Sequence, residues 1–409
     1  MKFKVISLIY VTLVLLCSCN NNNKILSKSE KVDLIIDVDP SKAIKSIQMS
    51  ELFLDINYIP LETNENSLIG NVSDIIKYKD RFYILDNDIT QSVFCFSETG
   101  RFIFKINKRG TGPGEYVKLA GFTLDTDREH LLLHDTSTKQ VLRFGPDGEF
   151  IESHRIEFQA YRFSYISDGY FAFYCEYVPN NEFLNNGRYP NLIITDQDFN
   201  VYKTGLEFSK DANFPAIPNS MQCFSRHDSK SLSLITSLND TIYNVSKDNV
   251  FPRIHFNFKN NQRKTELDVL MNTPESELEI NAIVDFLKNH GICDLFLFVE
   301  STKKIFFAYA KYPATHFVFY DKETKEIHDI EAKRGARFPI INDIDGGDDF
   351  PIPMISDENL FYGIVSPDVL IEKKEDIRVS DTPKKQSMLE LIDKISDDDN
   401  PIIAIISPK

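Results

Sequence analysis

Apolar and polar positions alternate along most of this chain in short runs, and the runs recur in groups. The clearest motif is two apolar runs joined by a polar turn, FCFSETGRFIF (94–104) and then LRFGPDGEFIE (142–152), roughly 50 residues further on. Fainter copies follow at IITDQDFNVYK (193–203), TIYNVSKDNVF (241–251) and FVFYDKETKEI (317–327). Alternation with period two predicts half-buried strands, and turn residues between two such runs predict hairpins. The motif extends backward. SDIIKYKDRFYILD (73–86) reads as a strand, a turn at Lys79-Asp80 and a second strand, and AGFTLDTDREHLLLHD (120–135) repeats it. Each unit therefore holds four strands. Asp86 and Asp135 end equivalent strands, while Gly100 and Gly148 occupy equivalent turns, where tight hairpins need a positive φ. A four-strand unit recurring at this period is the signature of a propeller.

The reading continues through a third unit (163–206) and a fourth (232–258). The fifth comes late by about half a unit, and the excess matches a helix-like segment at 263–290, divided by Pro274 with Thr273 as its N-cap. The sixth holds residues 337–366, a short helix near 384–396 and a terminal strand at 402–407. Strand-like runs at 32–38 and 52–59 precede the first unit. A closed ring removes its exposed edges by completing one blade from both chain ends. The expected fold is thus all-β, a six-bladed β-propeller, sealed by the N-terminal runs and residues 402–407. Two consecutive β-sandwiches would explain the strand count but not the regular spacing of the turns.

The N-terminus carries a different pattern. Lys2 and Lys4 precede the apolar run VISLIYVTLVLL (5–16), which ends at Leu16-Cys17-Ser18-Cys19. A basic start, a short apolar stretch and small residues describe a secretory signal rather than a membrane span, which needs about 20 apolar residues. The last four residues resemble a bacterial lipobox, in which Cys19 would be lipidated. The expected organisation is a signal at 1–18, a flexible Asn-rich tether at 19–31, and one propeller domain at 32–409. Asn20 to Asn23 are neutral, so an outer-membrane lipoprotein facing the periplasm and one displayed on the surface both remain open.

Charge and composition narrow the partners. With 46 basic against 61 acidic residues, net −15, the chain is unsuited to nucleic acid or to an electrostatic grip on anionic lipid. Cys95, Cys175, Cys223 and Cys293 are widely spaced and form no CxxC pair, which argues against a metal knuckle. Their pairing is left open, with Cys95 read as a small core residue. The 32 Phe and 17 Tyr fall mostly on strand periods and read first as core, with Tyr161, Tyr177 and Tyr189 as loop candidates for a ligand face. The absence of Trp argues mildly against sugar-stacking platforms.

Two segments carry candidate chemistry. KRGTGPGEY (108–116) is glycine-rich but lacks the Gly-Lys-Ser/Thr ending of a phosphate loop, so it reads mainly as a blade-to-blade connection from which Arg109 could meet an acidic or sugar ligand. NDIDGGDDF (342–350) places Asp343, Asp345, Asp348 and Asp349 on a flexible loop. They are hard oxygen ligands of the kind Ca²⁺ takes, although the EF-hand spacing fails and a polar turn explains the composition equally well. Asn342 and Asp343 are the other candidate ligand contacts. No GxSxG elbow or HExxH site occurs, and a carboxylate pair drawn from two blades would leave no local signature.

The two segments, with NDTIYNV (239–245) and DDDNPIIAIISPK (397–409), resemble signature stretches of the six-bladed β-propeller lipoproteins of Bacteroides-type bacteria, relatives of the NHL-repeat propellers. The resemblance spans nearly the whole mature chain. It implies architecture and lipid anchoring but no catalytic residues. It departs at Asp348-Asp349-Phe350-Pro351, where an apolar or proline-rich run is usual, so an apolar ligand surface there would be more acidic. The expected function is a lipid-anchored envelope module binding a glycan, peptide or protein. The alternative is a propeller lactonase, lyase or glycosidase with a metal or carboxylate site at the central channel.

Overall fold

In a computed structural model of the chain, the described residues are 25–28, 32–180, 188–209, 223–236, 238–259, 280–333, 335–336 and 338–409. Six antiparallel sheets stand around one axis as the blades of a β-propeller. In chain order, their innermost strands are Asp74–Tyr78, Leu119–Asp125, Arg162–Tyr165, Phe224–Arg226, Asp294–Glu300 and Pro353–Asp357. Each of these neighbours the next, and the last returns to the first. Blades are numbered 1 to 6 in that order.

Burial explains the sequence pattern. The two middle strands of a blade are covered on both faces by the neighbouring blades, so Arg81–Asp86, Ser92–Ser97, His130–Asp135 and Gln140–Phe144 are almost continuously buried. The outermost strands, such as Phe150–Arg155, are half exposed. Six apolar clusters fill the six junctions between blades. The junction of blades 1 and 2 holds Tyr83, Cys95, Phe122 and Phe144, and that of blades 6 and 1 holds Ile75, Phe94, Tyr362 and Ile403. At about 1.5–3 kcal/mol for each large side chain removed from water, these junctions are the main source of cohesion.

The hairpins repeat as the spacing predicts. Gly100 and Gly148 have φ of 81° and 80°, and the same left-handed turn is made by Phe199 in blade 3 and Lys325 in blade 5. Glycine is required at position 100 for a second reason: a Cβ there would lie 2.1 Å from the Pro60 carbonyl oxygen of blade 6. A bulge interrupts the pairing of the two outer strands in each of blades 1 to 4, for example between Cys95 and Phe96 and between Arg143 and Phe144. Bulges of this kind increase local twist.

Closure differs in part from expectation. Ile402–Pro408 pairs with Leu360–Val365 on one side and with Phe53–Pro60 on the other, so blade 6 is completed from both chain ends. The other N-terminal run does not join it. Leu34–Val38 instead adds a parallel strand outside Asn249–Phe258 of blade 4, burying Ile36 and Val38 against Phe256 and Phe258. Alternation marks both runs as strands without naming their partners. Blade 4 also begins earlier than expected, at the short inner strand Phe224–Arg226.

Of the expected helical insertion, Ile280–Asn289 is helical, whereas Thr273 and Pro274 lie outside the described residues. Lys385–Ile392 forms the expected short helix, joined by two unexpected ones, Pro367–Glu372 and Lys374–Val379. These three lie between the second and third strands of blade 6 and bury Leu370, Ile377, Met388 and Ile392 on the blade 5–6 cluster. Cys95, Cys175, Cys223 and Cys293 are all buried, each in a different junction cluster, and form no disulfide with one another.

Asp86 and Asp135 staple each blade to the connection before it. The buried Asp86 carboxylate accepts from the N–H groups of Gly70, Asn71, Ile89 and Thr90 and from the Thr90 hydroxyl, and Asp135 accepts from Val117, Lys118, Ser137 and Thr138 in the same way. Burial opposes ionisation of Asp86, but these donors outweigh it and hold the carboxyl below its usual range. Asp86→Ala strands several buried N–H groups and is expected to cost about 3 kcal/mol in urea unfolding, against less than about 0.5 for the exposed Asp398→Ala.

His134, packed edge-on between Phe163 and Phe173, is pushed down to about 4 by complete burial. The unfolded chain takes up this proton near pH 6.5 and the folded chain does not, so stability is full above pH 6.5 and falls as the pH drops towards 4. The loss is roughly 3 kcal/mol at most. His134→Phe is expected to flatten that slope in unfolding midpoints measured from pH 7 to 4.5.

Candidate functional site

Innermost strands all begin at one face of the ring, here the entry face, and the connections between blades cross it. Strands fixed by packing on both sides leave these connections as the variable surface. Both segments singled out in the sequence lie here, at different junctions.

KRGTGPGEY links blade 1 to blade 2 and is closed on itself. Gly110 N–H donates to the Tyr116 carbonyl, Tyr116 N–H to that of Lys108, and Gly112 N–H to the Glu115 carboxylate. Tyr116 is fully buried, and its hydroxyl donates to the Gln91 carbonyl at 2.7 Å. The glycines serve this fold-back, and Arg109 stands exposed at its margin.

NDIDGGDDF leads from blade 5 into blade 6 beneath the three helices. Asn342 donates to Asp345 at 2.8 Å and to the Asp348 carbonyl at 2.9 Å, and accepts from the Ile344 and Asp345 N–H groups. Asp343 turns away to accept from the Ser50 N–H and hydroxyl at 2.8 and 2.6 Å. Asp345 is buried facing Tyr58, and burial raises its pKa; burial and then Asp345 push the Tyr58 phenol well up. Asp349 pairs with Lys373 at 2.7 Å. The expected calcium ligands Asp343, Asp345 and Asp348 thus do not converge, because hydrogen bonds within the loop and to Ser50 take them in different directions. Among the described residues, no group of three or more His, Cys, Asp or Glu side chains is placed to hold a metal ion. Asn342 and Asp343, the candidate ligand contacts, are thus both hydrogen-bonded within the protein.

Past this loop the chain opens onto a groove of about 630 Å³ across blades 5, 6 and 1. Phe296, Leu297, Phe317, Phe350, Ile352, Met354 and Val72 form its largely apolar wall, with Asn71, Ser366 and Asp348 as polar edges. Burial raises the Asp348 carboxyl above its usual range. The sequence marked this place through the unusual Asp348-Asp349-Phe350-Pro351; the blade 5 contribution, Phe296 and Leu297, gave no signal apart from core.

From the groove, Ser73 and Asp74 lead to the mouth of the central channel, a constriction of about 90 Å³ bordered by Asn87, Arg162, Ser164, Cys223 and Phe224. Arg162 pairs with Glu176 at 3.2 Å. Burial raises the Glu176 carboxyl, Arg162 opposing it. Glu176 and Tyr177 both have positive φ, 50° and 60°, a strained arrangement for two successive non-glycine residues. Nothing in their sequence announces it. Of the loop tyrosines, Tyr161 is exposed, Tyr177 packs on Tyr174 and Phe208, and Tyr189 is buried on Phe208.

The model of the family described as "domain of unknown function (DUF4934)" matches residues 34–407. This chain belongs to the DUF4934 family. The match runs from the extra strand on blade 4 to the closing strand of blade 6, so the DUF4934 unit contains the whole ring. A presumed exported protein of Bacteroides fragilis is similar in structure, with 22% identity and a TM-score of 0.72 over 92% of this chain and 99% of that one. A member of the DUF4221 family from Bacteroides vulgatus has 10% identity and a TM-score of 0.47 over 88% and 97%. No curated protein matches the sequence.

For this DUF4934 chain the loop geometry gives a direct expectation for calcium. Millimolar Ca²⁺ is expected to move the melting temperature by less than about 1 °C, as checked by scanning calorimetry with and without a chelator.

Proposed function

We propose that this protein is an exported binding module of the bacterial envelope that holds an apolar segment of a partner polypeptide in the groove across blades 5, 6 and 1. The observation that carries the proposal is the groove itself. Its volume lies in the range of ligand sites, its wall is aromatic and aliphatic, and it opens on the face where a propeller presents its connections. A glycan would find few hydrogen-bonding groups on that wall. Asp348 at its edge and the net charge of −15 favour a segment that pairs apolar side chains with Lys or Arg. The lipobox-like Leu16–Cys19, the resemblance to propeller lipoproteins related to NHL-repeat rings, and likeness to a presumed exported Bacteroides protein support export and anchoring through Cys19. Among the described residues no helix is long and apolar enough to cross a membrane.

The rival reading, an enzyme, has one observation in its favour: the half-buried Glu176 beside Arg162, on strained backbone at the channel mouth.

The neutral apolar probe N-phenyl-1-naphthylamine is expected to bind saturably and to be displaced by synthetic peptides containing Phe or Leu next to Lys or Arg. Ile352→Asp changes a side chain already 39% exposed and is expected to weaken both at least tenfold without shifting the melting temperature. Absence of saturable binding, or binding unaffected by Ile352→Asp, would overturn the groove as the site. Displacement by neutral oligosaccharides rather than peptides would overturn the partner class.

A further inference from the structure

Within the expected tether at 19–31, residues 25–28 are not free but fastened to the outside of the ring at one junction. Leu26 is buried in the cluster between blades 3 and 4, against Tyr174, Ile194 and Val250. Its N–H donates to the Thr204 carbonyl of blade 3 at 2.8 Å, and Ser27 N–H donates to the Asp248 carbonyl of blade 4 at 3.2 Å. Ser27 and Lys28 then pair in parallel with Asn249 and Val250. Gly205 is shaped to this arm, since a Cβ there would meet the Leu26 side chain at 2.9 Å. Ile25 lies only six positions after Cys19, with five residues between them. A chain of that length spans roughly 20 Å at most, whereas a compact domain of this size is about 50 Å across.

In a ring of six, the junction of blades 3 and 4 lies opposite that of blades 6 and 1. The groove spans blade 6 and reaches the latter, with Phe296 in blade 5, Met354 in blade 6 and Val72 on the blade 1 side. We propose that the lipid-anchored protein stands on its rim, with the blade 3–4 junction toward the membrane and the groove at the far edge, open to a partner approaching from the aqueous side. The net charge of −15 acts in the same direction, because a ring lying flat would press a whole face of an acidic protein against phospholipid headgroups. This inference rests on lipidation at Cys19 as read above.

The test uses the lipidated full chain in phosphatidylcholine vesicles doped with a rhodamine-labelled lipid as energy acceptor. Donor dye is attached at Lys247→Cys, beside the arm, or at Glu98→Cys, exposed in the equivalent turn of blade 1 across the ring and on the same face. The four native thiols of the ring are no more than 3% exposed and stay unlabelled. Transfer to the acceptor is expected to be at least twofold greater from Lys247→Cys than from Glu98→Cys. Equal transfer would indicate a flat-lying ring and reversed order an inverted one, and either overturns the orientation. Cys19→Ala is expected to stay in solution. If it binds vesicles as the parent does, the lipid reading itself fails, which is distinct from a failure of orientation.

Discussion

The pairing of Ile402–Pro408 with Phe53–Pro60 is the constraint on which the ring depends. A row of blades leaves one junction open unless its ends meet, and here the ends meet by main-chain hydrogen bonding within blade 6. Ile402, Ile403 and Ile406 are completely buried by that pairing, which is worth roughly 5–9 kcal/mol at the usual value per side chain. That equals a large share of the whole folding free energy of an ordinary domain. Separation of the ends would expose the clusters on both sides of blade 6, and those clusters hold the groove between them.

Once the ring is shut, the rest of the molecule is constrained in layers. Middle strands are enclosed by their neighbours and have no freedom to carry polar function. Some of the buried polar groups in the blades satisfy one another, while others, such as the Thr195 hydroxyl and His134 Nδ1, have no hydrogen-bond partner among the described residues. In blade 5, the Tyr309 hydroxyl and His316 both engage Asp329. On the other face, Glu300 holds Arg253 and Lys322 together between blades 4 and 5. Such groups specify how blades seat on each other, because a shift of one residue would leave a buried charge alone. The aspartate staples do the same for the connections, fixing where each one crosses the entry face.

This division explains what could be read from the sequence. Phe94, Phe96, Phe102 and their partners around Gly100 repeat at Phe144 and Phe150 around Gly148, because identical burial at each junction imposes the same pattern. The ring and its closing strand were therefore legible. The partner of Leu34–Val38 was not, since alternation fixes a strand's faces and leaves its neighbour unspecified. The site was legible only where composition was odd. Asp348 and Phe350 stood out as a departure from the expected pattern, and both line the groove. Phe296 and Leu297 look in sequence like any other strand residues, and the left-handed pair Glu176-Tyr177 contains no Gly or Asn to betray its backbone.

The same logic separates Arg109 and Asp343 from the groove. Glycine- and aspartate-rich loops attract attention because their chemistry suits phosphate or calcium, yet a connection that must turn sharply over a packed ring needs those residues for its own backbone. Gly110 and Gly112 allow the fold-back over Tyr116, and Asp343 satisfies Ser50, which begins the segment leading into the closing strand. The Asp343 carboxylate is thereby committed to the fold, whereas the Arg109 side chain stays exposed beside its loop. On the proposed reading, the groups that meet a ligand are apolar side chains lining the groove across blades 5, 6 and 1. On that reading, the residues richest in motif set the connections of this ring, and recognition falls to plain side chains whose position only the closed ring defines.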